Sequence, residues 1–199
     1  MNEKLPIITI NREYGAGGRS LAAILSEKLG IPYYDRDFVK ETIKESGFDE
    51  EDVEREGEEL SKSSQVLKNL FNTTVSYPSS HDAIFEAEKK IILKLAENPC
   101  IMVGRCADRI LYEAGIDNIS IYLHSSLEAR LKRADELEEK GEMNPEKFVE
   151  KRDIQRRTYY KQYTGCDIQD ASHYTLCFDT GKIGIPACAD MVLSMLDRS

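Results

Sequence analysis

The chain has 199 residues, enough for one domain with a hydrophobic core. Its net charge of −9 and its sequence pI near 5.0 argue against a general nucleic-acid-binding surface. No apolar run approaches the length of a membrane span, and residues 1–6 lack the core of a signal peptide. The five cysteines include no C-x-x-C pair, so neither a disulfide framework nor a zinc site is expected. We therefore expect a protein of the reducing cytoplasm without nucleic-acid or membrane partners, and the sequence leaves its oligomeric state open.

The first predicted element is a buried strand over residues 7–11, which runs through a glycine-rich turn into a helix over residues 20–29. Strand, glycine turn and helix start in this order build an anion cradle. The reason is that the N–H groups of the first helical turn have no backbone partner and the helix dipole adds positive charge there. Glycines also allow positive φ angles and a close approach of the backbone to a ligand. We interpret the turn as a phosphate-binding loop rather than a plain tight turn; its residues are Gly15, Ala16, Gly17, Gly18, Arg19 and Ser20.

The loop departs from the common pattern G-x-x-x-x-G-K-[ST], in which the lysine reaches the β- and γ-phosphates and the hydroxyl binds Mg²⁺. In one register Arg19 stands in place of the lysine and Glu13 in place of the first glycine. In a second register, which follows the form G-K-G-T, residues 17–20 are aligned and no lysine is present. Arg12 or Arg19 must then supply the positive charge, as a planar fork rather than a point charge. The sequence does not decide between these two arginines.

The rest of the chain alternates short apolar strands with helices. Asp35 is well placed to cap a following helix, and residues 48–68 are acidic and helix-prone, which indicates a solvated helical excursion. Further along, Ser125 opens a capping box, and Asn144-Pro145 offers an N-cap with proline at the first helical position. The remaining predicted strands are residues 31–34, 100–104, 119–123 and 174–178, and the remaining predicted helices are residues 81–97, 125–141, 146–163 and 186–196.

This alternation predicts a doubly wound α/β fold, in which a five-stranded parallel sheet carries helices on both faces. Ligands of such folds bind at the carboxyl ends of the strands. Those predicted ends carry Arg12, Asp35 and Arg105. Arginine suits phosphate because it binds two oxygens at once. Positive charge at the ligand edge of an acidic protein therefore indicates an anion site.

The basic helix over residues 151–161 adds further arginines. A solvated face with ion pairs stays open for this helix, because Asp153 lies three and four residues before Arg156 and Arg157.

Several motifs, in the same order along the chain, resemble those of cytidylate kinase and, more closely, of the cytidylate kinase-like proteins. Residues 11–20, NREYGAGGRS, are similar to the divergent S-R-E-Y-G-S-G-G loop of the latter. The resemblance covers nearly the whole chain except residues 48–75. The other matching segments are Tyr33-Tyr34-Asp35 on the Y-L-D motif, Gly104-Arg105 on the start of G-R-D, Asp153-x-x-Arg156 on part of the arginine-rich lid, and Tyr160-x-x-Tyr163-Thr164-Gly165 with Phe178-Asp179-Thr180 on the ending of the divergent group.

The resemblance implies a P-loop nucleotide kinase-like domain over residues 1–199, with a helical acceptor-side insert at 47–98 and a helical lid-like region at 125–165. It implies transfer of a phosphoryl group from ATP to a nucleoside monophosphate, CMP or dCMP, with Mg²⁺. The ATP phosphates would lie on residues 15–20, and Ser20 would also bind Mg²⁺. The implied catalytic residues are Arg12, Arg19, Arg152, Arg156 and Arg157, and the implied acceptor-side residues are Asp35, Lys40 and Arg105.

Two other functions remain open. A P-loop kinase of a nucleoside or another hydroxyl-bearing metabolite would benefit from a carboxylate base, which Asp35 or Asp37 could provide. A nucleotide-binding regulatory protein would bind ATP without useful turnover. The cytidylate kinase segment that follows the Y-L-D motif carries an acceptor-phosphate arginine that is absent here, and Lys40 is the available substitute.

Overall fold

The computed structural model describes residues 5–35, 80–136 and 144–197. Its strands are β1 (Ile7–Arg12), β2 (Tyr33–Tyr34), β3 (Cys100–Val103), β4 (Ile119–His124) and β5 (Leu176–Asp179). Its α-helices are α1 (Gly18–Leu29), α2 (Ser80–Leu95), α3 (Ala107–Glu113), α4 (Leu127–Glu136), α5 (Pro145–Thr164), α6 (Thr180–Ile183) and α7 (Ile185–Leu196), and a 3₁₀ turn covers Ala171–His173.

All five strands pair in parallel, in the order β2-β3-β1-β4-β5. Strand β1 lies in the centre, where Ile8 is paired with Ile101 of β3 on one side and with Ile119 of β4 on the other. The glycine turn after β1 therefore opens at the middle of the carboxyl edge of the sheet, between the ends of β3 and β4. The predicted five-stranded parallel α/β fold is confirmed.

Helices cover both faces of the sheet, because successive strand residues point to opposite sides. Ile8 and Ile10 of β1 pack with α1 and α7 in one buried cluster. Cys100 and Met102 of β3 pack with α2, α3 and α5 in a second cluster. This alternation explains why both faces of short, almost wholly apolar strands are buried.

Most predicted boundaries agree with the structure to within about two residues, and Asn144 caps α5 as predicted, accepting a hydrogen bond from the Lys147 N–H at 3.2 Å. Helix α3 was not predicted; it is short, and two non-glycine residues in left-handed conformation precede it. The predicted cap of α4 is shifted by one residue, since it is the Ser126 hydroxyl that accepts from the Ala129 N–H, at 3.3 Å.

Some predictions lie outside the described residues. They are the helix after Asp35, the acidic excursion at 48–68 and the substitute Lys40. The division into an insert at 47–98 and a lid-like region at 125–165 stays a prediction. Within the described ranges, no helix combines the length and the apolar character needed to cross a bilayer.

Candidate functional site

The turn between β1 and α1 forms a backbone cradle at the centre of the carboxyl edge. Gly15 and Gly17 have φ angles of 78° and 87°, and Gly17 is the N-cap residue of α1. Because glycine has no side chain to cap the helix, the N–H groups of the first turn are open to a ligand or to water. The exposed hydroxyl of Ser20 lies in the same turn. These donors and the helix dipole suit a phosphate group.

Alanine at position 15 should destabilise the protein more than alanine at position 30. Both glycines have positive φ angles, 78° and 66°, so each substitution should cost about 1–2 kcal/mol. A Cβ at residue 15 would lie 2.6 Å from the carbonyl oxygen of Arg130, whereas a Cβ at residue 30 would have nothing within 4 Å. Gly15→Ala should therefore lose about 1–3 kcal/mol more than Gly30→Ala. Urea unfolding of the two variants measures the difference, and equal losses would contradict the close contact between the loop and α4.

Glu13 holds the loop to the end of β4. Its backbone N–H donates to the Leu123 carbonyl at 2.9 Å, and its carboxylate accepts from the Ser125 N–H at 3.1 Å. The same carboxylate oxygen forms an ion pair of 3.3 Å with Nε of Arg130. On the other side of the loop, the Thr180 hydroxyl donates to the Ala16 carbonyl at 2.9 Å. Glu13 is therefore a structural residue of the loop.

Asp153 of α5 joins the loop to α4. One carboxylate oxygen accepts from the Tyr14 N–H at 2.7 Å, and the other accepts from Nη1 of Arg130. The side chain is 12% exposed. The ion pair that the structure gives Asp153 is thus with Arg130, rather than with the helical neighbours that its spacing left open. Asp153 therefore fixes the loop backbone from outside the loop.

Helix α5 also contacts the loop through Arg156. Its Nη1 donates to the Arg12 carbonyl at 3.3 Å, and its guanidinium lies 5.2 Å from the ring centroid of Tyr14. The ring of Tyr14 packs edge-on against Phe148, with 5.3 Å between the centroids. The predicted lid residue Arg156 therefore lies directly beside the phosphate loop.

The side chain of Arg12 lies across the mouth of the cradle. A Cβ on Gly104 would stand 2.2 Å from Nη1 of Arg12, so the guanidinium rests on the backbone at the end of β3. Burial and the positive charges of Arg156, Arg19 and Arg105 lower the pKa of Arg12 well below its ordinary value, and only Asp35 acts in the opposite sense among these groups. Since arginine keeps its proton in proteins, this concentration of positive charge suits an anionic ligand.

Arg19 points away from the cradle toward β2. Its Nε pairs with the Asp35 carboxylate at 2.7 Å, and its side chain is 49% exposed. The hydroxyl of Ser20 accepts a long hydrogen bond of 3.5 Å from Arg133 of α4. Four arginines, Arg12, Arg19, Arg105 and Arg156, form a positively charged edge here, which we call the positive edge. Arg19 lies at its periphery.

Arg105 follows β3 in a strained turn. Gly104, Arg105 and Cys106 have φ angles of 82°, 58° and 56°, which is costly for the two residues that are not glycine. The guanidinium, 8% exposed, pairs at 2.8 Å with Glu88, whose side chain is fully buried. The Tyr159 hydroxyl donates to the other oxygen of that carboxylate. Arg105 is thus held in a fixed orientation by α2 and α5.

A second tyrosine of α5 anchors the helix to α3. The Tyr160 hydroxyl donates to the carboxylate of Asp108 at 2.6 Å in a buried contact. Burial raises the pKa of Asp108, and hydrogen bonds from Tyr160 and Asn11 oppose that rise. The helix that carries Arg156 is therefore attached to both the loop and α3.

The structure brings together some of the predicted site residues and places others apart. Asp35 and Arg105 line one small pocket at the ends of β2 and β3. Arg152 lies over the ring of Phe148, with 5.1 Å to the centroid, and Arg157 makes a 3.5 Å contact with Gln169. The predicted roles of Arg152 and Arg157 over the transferring group stay predictions.

Sequence reasoning missed three residues beside the site, Glu88, Arg130 and Arg133. A signal for Glu88 was present: Ile84, Glu88 and Ile92 lie four residues apart, which places the carboxylate in the apolar stripe of α2. The contacts of Arg130 with the loop and of Arg133 with the first turn of α1 join residues more than 100 positions apart in the sequence. No local pattern marks such contacts.

The donor set fits nucleotide phosphates and Mg²⁺. No group of three metal-binding side chains occurs in the described ranges. Mg²⁺ usually takes one or two protein ligands and otherwise phosphate oxygens and water, and the Ser20 hydroxyl could serve as such a ligand.

Comparison with known proteins gives a consistent result. Residues 7–182 match the model of the cytidylate kinase-like family. A cytidylate kinase of Methanocaldococcus jannaschii is 26% identical over 96% of this chain and 98% of its own length. An uncharacterized protein from Eubacterium ventriosum has a similar structure, with a TM-score of 0.70, 23% identity, and 98% and 99% of the two chains covered. A shikimate kinase from Acinetobacter baumannii has a TM-score of 0.55 at 16% identity, covering 98% of this chain and 94% of its own.

Proposed function

The chain belongs to the cytidylate kinase-like family, and on that premise we propose that it transfers the γ-phosphoryl group of ATP to a nucleoside monophosphate, CMP or dCMP. The fold and the family support the coarser assignment, a P-loop kinase of nucleotide type. The cytidylate kinase relatives support the choice of acceptor, at identities of 24–29%.

One observation carries the proposal. Arg12 lies within the electrostatic reach of Arg156, Arg19 and Arg105 at the carboxyl edge of a protein whose net charge is −9. Arg19 and Arg105 already pair with Asp35 and Glu88, and further anionic charge beside Arg12 would reduce the repulsion among the four guanidinium groups. The polyphosphate of ATP and the phosphate of the acceptor would supply that charge at the point where the glycine cradle opens.

The reaction needs little beyond this arrangement. An oxygen of the acceptor phosphate is already anionic, so it can bond to the γ-phosphorus without a general base, while the bond from that phosphorus to the β-γ bridging oxygen breaks and ADP leaves. Residues 15–20 would hold the ATP phosphates, and Arg156 would stabilise the charge on the group in transfer. The Ser20 hydroxyl would hold Mg²⁺, which neutralises phosphate charge when bound. Catalysis is then positioning plus charge stabilisation.

The acceptor would lie on the side of β2 and β3. Asp35 and Arg105 line the same small pocket there, and Arg105 is held by a buried carboxylate. We assign the acceptor phosphate to Arg105. Lys40 is retained as a further acceptor contact on sequence grounds alone.

A hydroxyl-acceptor kinase is the second candidate, and the position of Asp35 in that pocket favours it. A carboxylate could remove the proton of an acceptor hydroxyl from there. Asp35 is, however, already paired with Nε of Arg19 at 2.7 Å, so its carboxylate is engaged as an ion-pair partner in this structure. The monophosphate acceptor therefore fits the geometry better.

Coupled measurement of ADP release with Mg²⁺-ATP, over CMP, dCMP, UMP, AMP, GMP and free nucleosides, separates the candidates. Strong turnover with one monophosphate supports the proposal, and turnover with nucleosides alone supports the second candidate. Asp35→Asn should lower kcat less than tenfold for a monophosphate acceptor, but about 10²–10⁴-fold if Asp35 is a general base. Asp190→Asn, at an exposed ion pair with Lys28, is the matched control. ATP binding without turnover for any acceptor would favour a regulatory protein.

A further inference from the structure

The phosphate loop lacks a lysine in either register. Gly17 is the N-cap of α1 and Gly18 its first residue, with Ser20 in the first turn. In the G-K-G-T register, position 18 carries the lysine and position 12 the first glycine of the pattern. Here the two positions hold Gly18 and Arg12. An arginine thus stands where a glycine is usual, and a glycine where the lysine is usual.

The side chain of Arg12 fills the space that a lysine at position 18 would enter. A Cβ on Gly18 would lie 3.1 Å from both Cγ and Cδ of Arg12 and 3.3 Å from its Nε. Beyond that point the guanidinium crosses the backbone of Gly104, where a Cβ would meet Nη1 at 2.2 Å. Two positions without side chains therefore define the path of Arg12 from β1 over the start of α1.

Arg19, the other candidate, takes a different direction. Its Nε is engaged with Asp35 at 2.7 Å and its side chain is about half exposed. The charges of Arg156, Arg19 and Arg105 all act on Arg12. Arg12 is therefore the arginine at the centre of the positive edge, and Arg19 lies at its rim.

We propose that Arg12 supplies the positive charge of the missing loop lysine, reaching the β- and γ-phosphates from the end of β1 instead of from the first turn of α1. This inference rests on the proposed function, since it assigns a nucleoside triphosphate to the cradle. It explains why Gly18 and Gly104 lack side chains: both leave room for one guanidinium. It also predicts that the roles of positions 12 and 18 can be exchanged, with glycine at position 12 and lysine at position 18.

The exchange provides the test. Arg12→Gly should lower kcat by about 10²–10³-fold, because it removes a fixed charge from the group in transfer. The preference of the protein for binding ATP over AMP, measured by calorimetry, should fall by about tenfold. The double variant Arg12→Gly/Gly18→Lys, which restores the common pattern, should regain at least about tenfold in kcat and most of the ATP preference. Arg12→Gly/Ala23→Lys adds the same single charge at an exposed position of α1 and should regain neither.

Thermal unfolding of each variant shows whether a loss of activity comes from the missing charge or from a loss of folding. If Arg12→Gly does not fold, Arg12→Lys tests the proposal instead. The lysine keeps a cation on the same path, so its loss in kcat should be about tenfold or less. The proposal is overturned if Arg12→Gly folds and retains wild-type kcat and ATP preference, if Gly18→Lys restores nothing, or if Arg12→Lys is as inactive as Arg12→Gly. Absence of phosphoryl transfer by the wild type would instead overturn the proposed function, while the ATP-to-AMP binding ratio still decides the role of Arg12.

Discussion

Replacing Glu88 with alanine should lower the free energy of unfolding by about 3–5 kcal/mol, because it leaves the guanidinium of Arg105 buried without its carboxylate. Glu88 is fully buried, pairs with Arg105 at 2.8 Å and accepts from the Tyr159 hydroxyl. The substitution therefore also removes a hydrogen bond between α2 and α5, which still pack through the stacked rings of Phe85 and Tyr163. Urea unfolding at neutral pH measures the loss.

Two further variants show whether the loss comes from the unpaired charge. Lys89→Ala removes a 3.9 Å ion pair with Glu113 that is partly exposed, and it should cost at most about 1 kcal/mol. Glu88→Ala combined with Arg105→Met removes both charges and should recover part of the stability. A loss below about 1 kcal/mol for Glu88→Ala would mean that the pair does not hold Arg105 in place.

Replacing Asp153 with alanine should lower kcat/KM by about 10²-fold, since a displacement of about 1 Å at a reacting group has an effect of that size. The carboxylate binds the Tyr14 N–H at 2.7 Å and also Arg130, so its loss removes one link between the loop and α5 and the ion pair between α5 and α4. Saturating ATP should not restore the rate, because the cradle itself has moved. Steady-state kinetics with the acceptor identified in the substrate panel measures this.

Glu150→Ala is the control for Asp153→Ala, since it removes an exposed carboxylate from the same helix. It should keep wild-type kinetics. Asp153→Asn keeps an oxygen for the Tyr14 N–H but loses the charge beside Arg130. Its kcat/KM should therefore lie between those of Asp153→Ala and Glu150→Ala. If Asp153→Ala folds and shows wild-type kcat/KM, the contact with Tyr14 does not position the loop.

The sequence predicted the parts of the fold that depend on local patterns. The apolar strands, the glycine turn and the Asn144 cap each have a signal within a few residues, and all are present. Helix α3 was missed because it follows a turn in which Arg105 and Cys106 adopt left-handed conformations. After Gly104, neither residue is of a type that predicts such a turn. The cap of α4 was misplaced by one residue because the Ser125 N–H donates to Glu13, 112 positions away.

The sequence proposes which residues could form the candidate site, but it does not predict the contacts between them. Residue type and strand ends were enough to select Arg12, Asp35 and Arg105. The choice between Arg12 and Arg19 requires the path of each side chain. Arg12 occupies the space that the missing side chains of Gly18 and Gly104 leave, whereas Arg19 forms an ion pair with Asp35. Such three-dimensional complementarity leaves no trace in the spacing of residues along the chain.

The most direct measurement is the fate of the label from ATP carrying ³²P at the γ-position, after incubation with the wild-type protein, Mg²⁺ and CMP or dCMP. We expect the label in the corresponding nucleoside diphosphate, in an amount equal to the ADP formed. Label found only in inorganic phosphate, or in a product formed from a nucleoside but from no monophosphate, would contradict phosphoryl transfer to a nucleoside monophosphate.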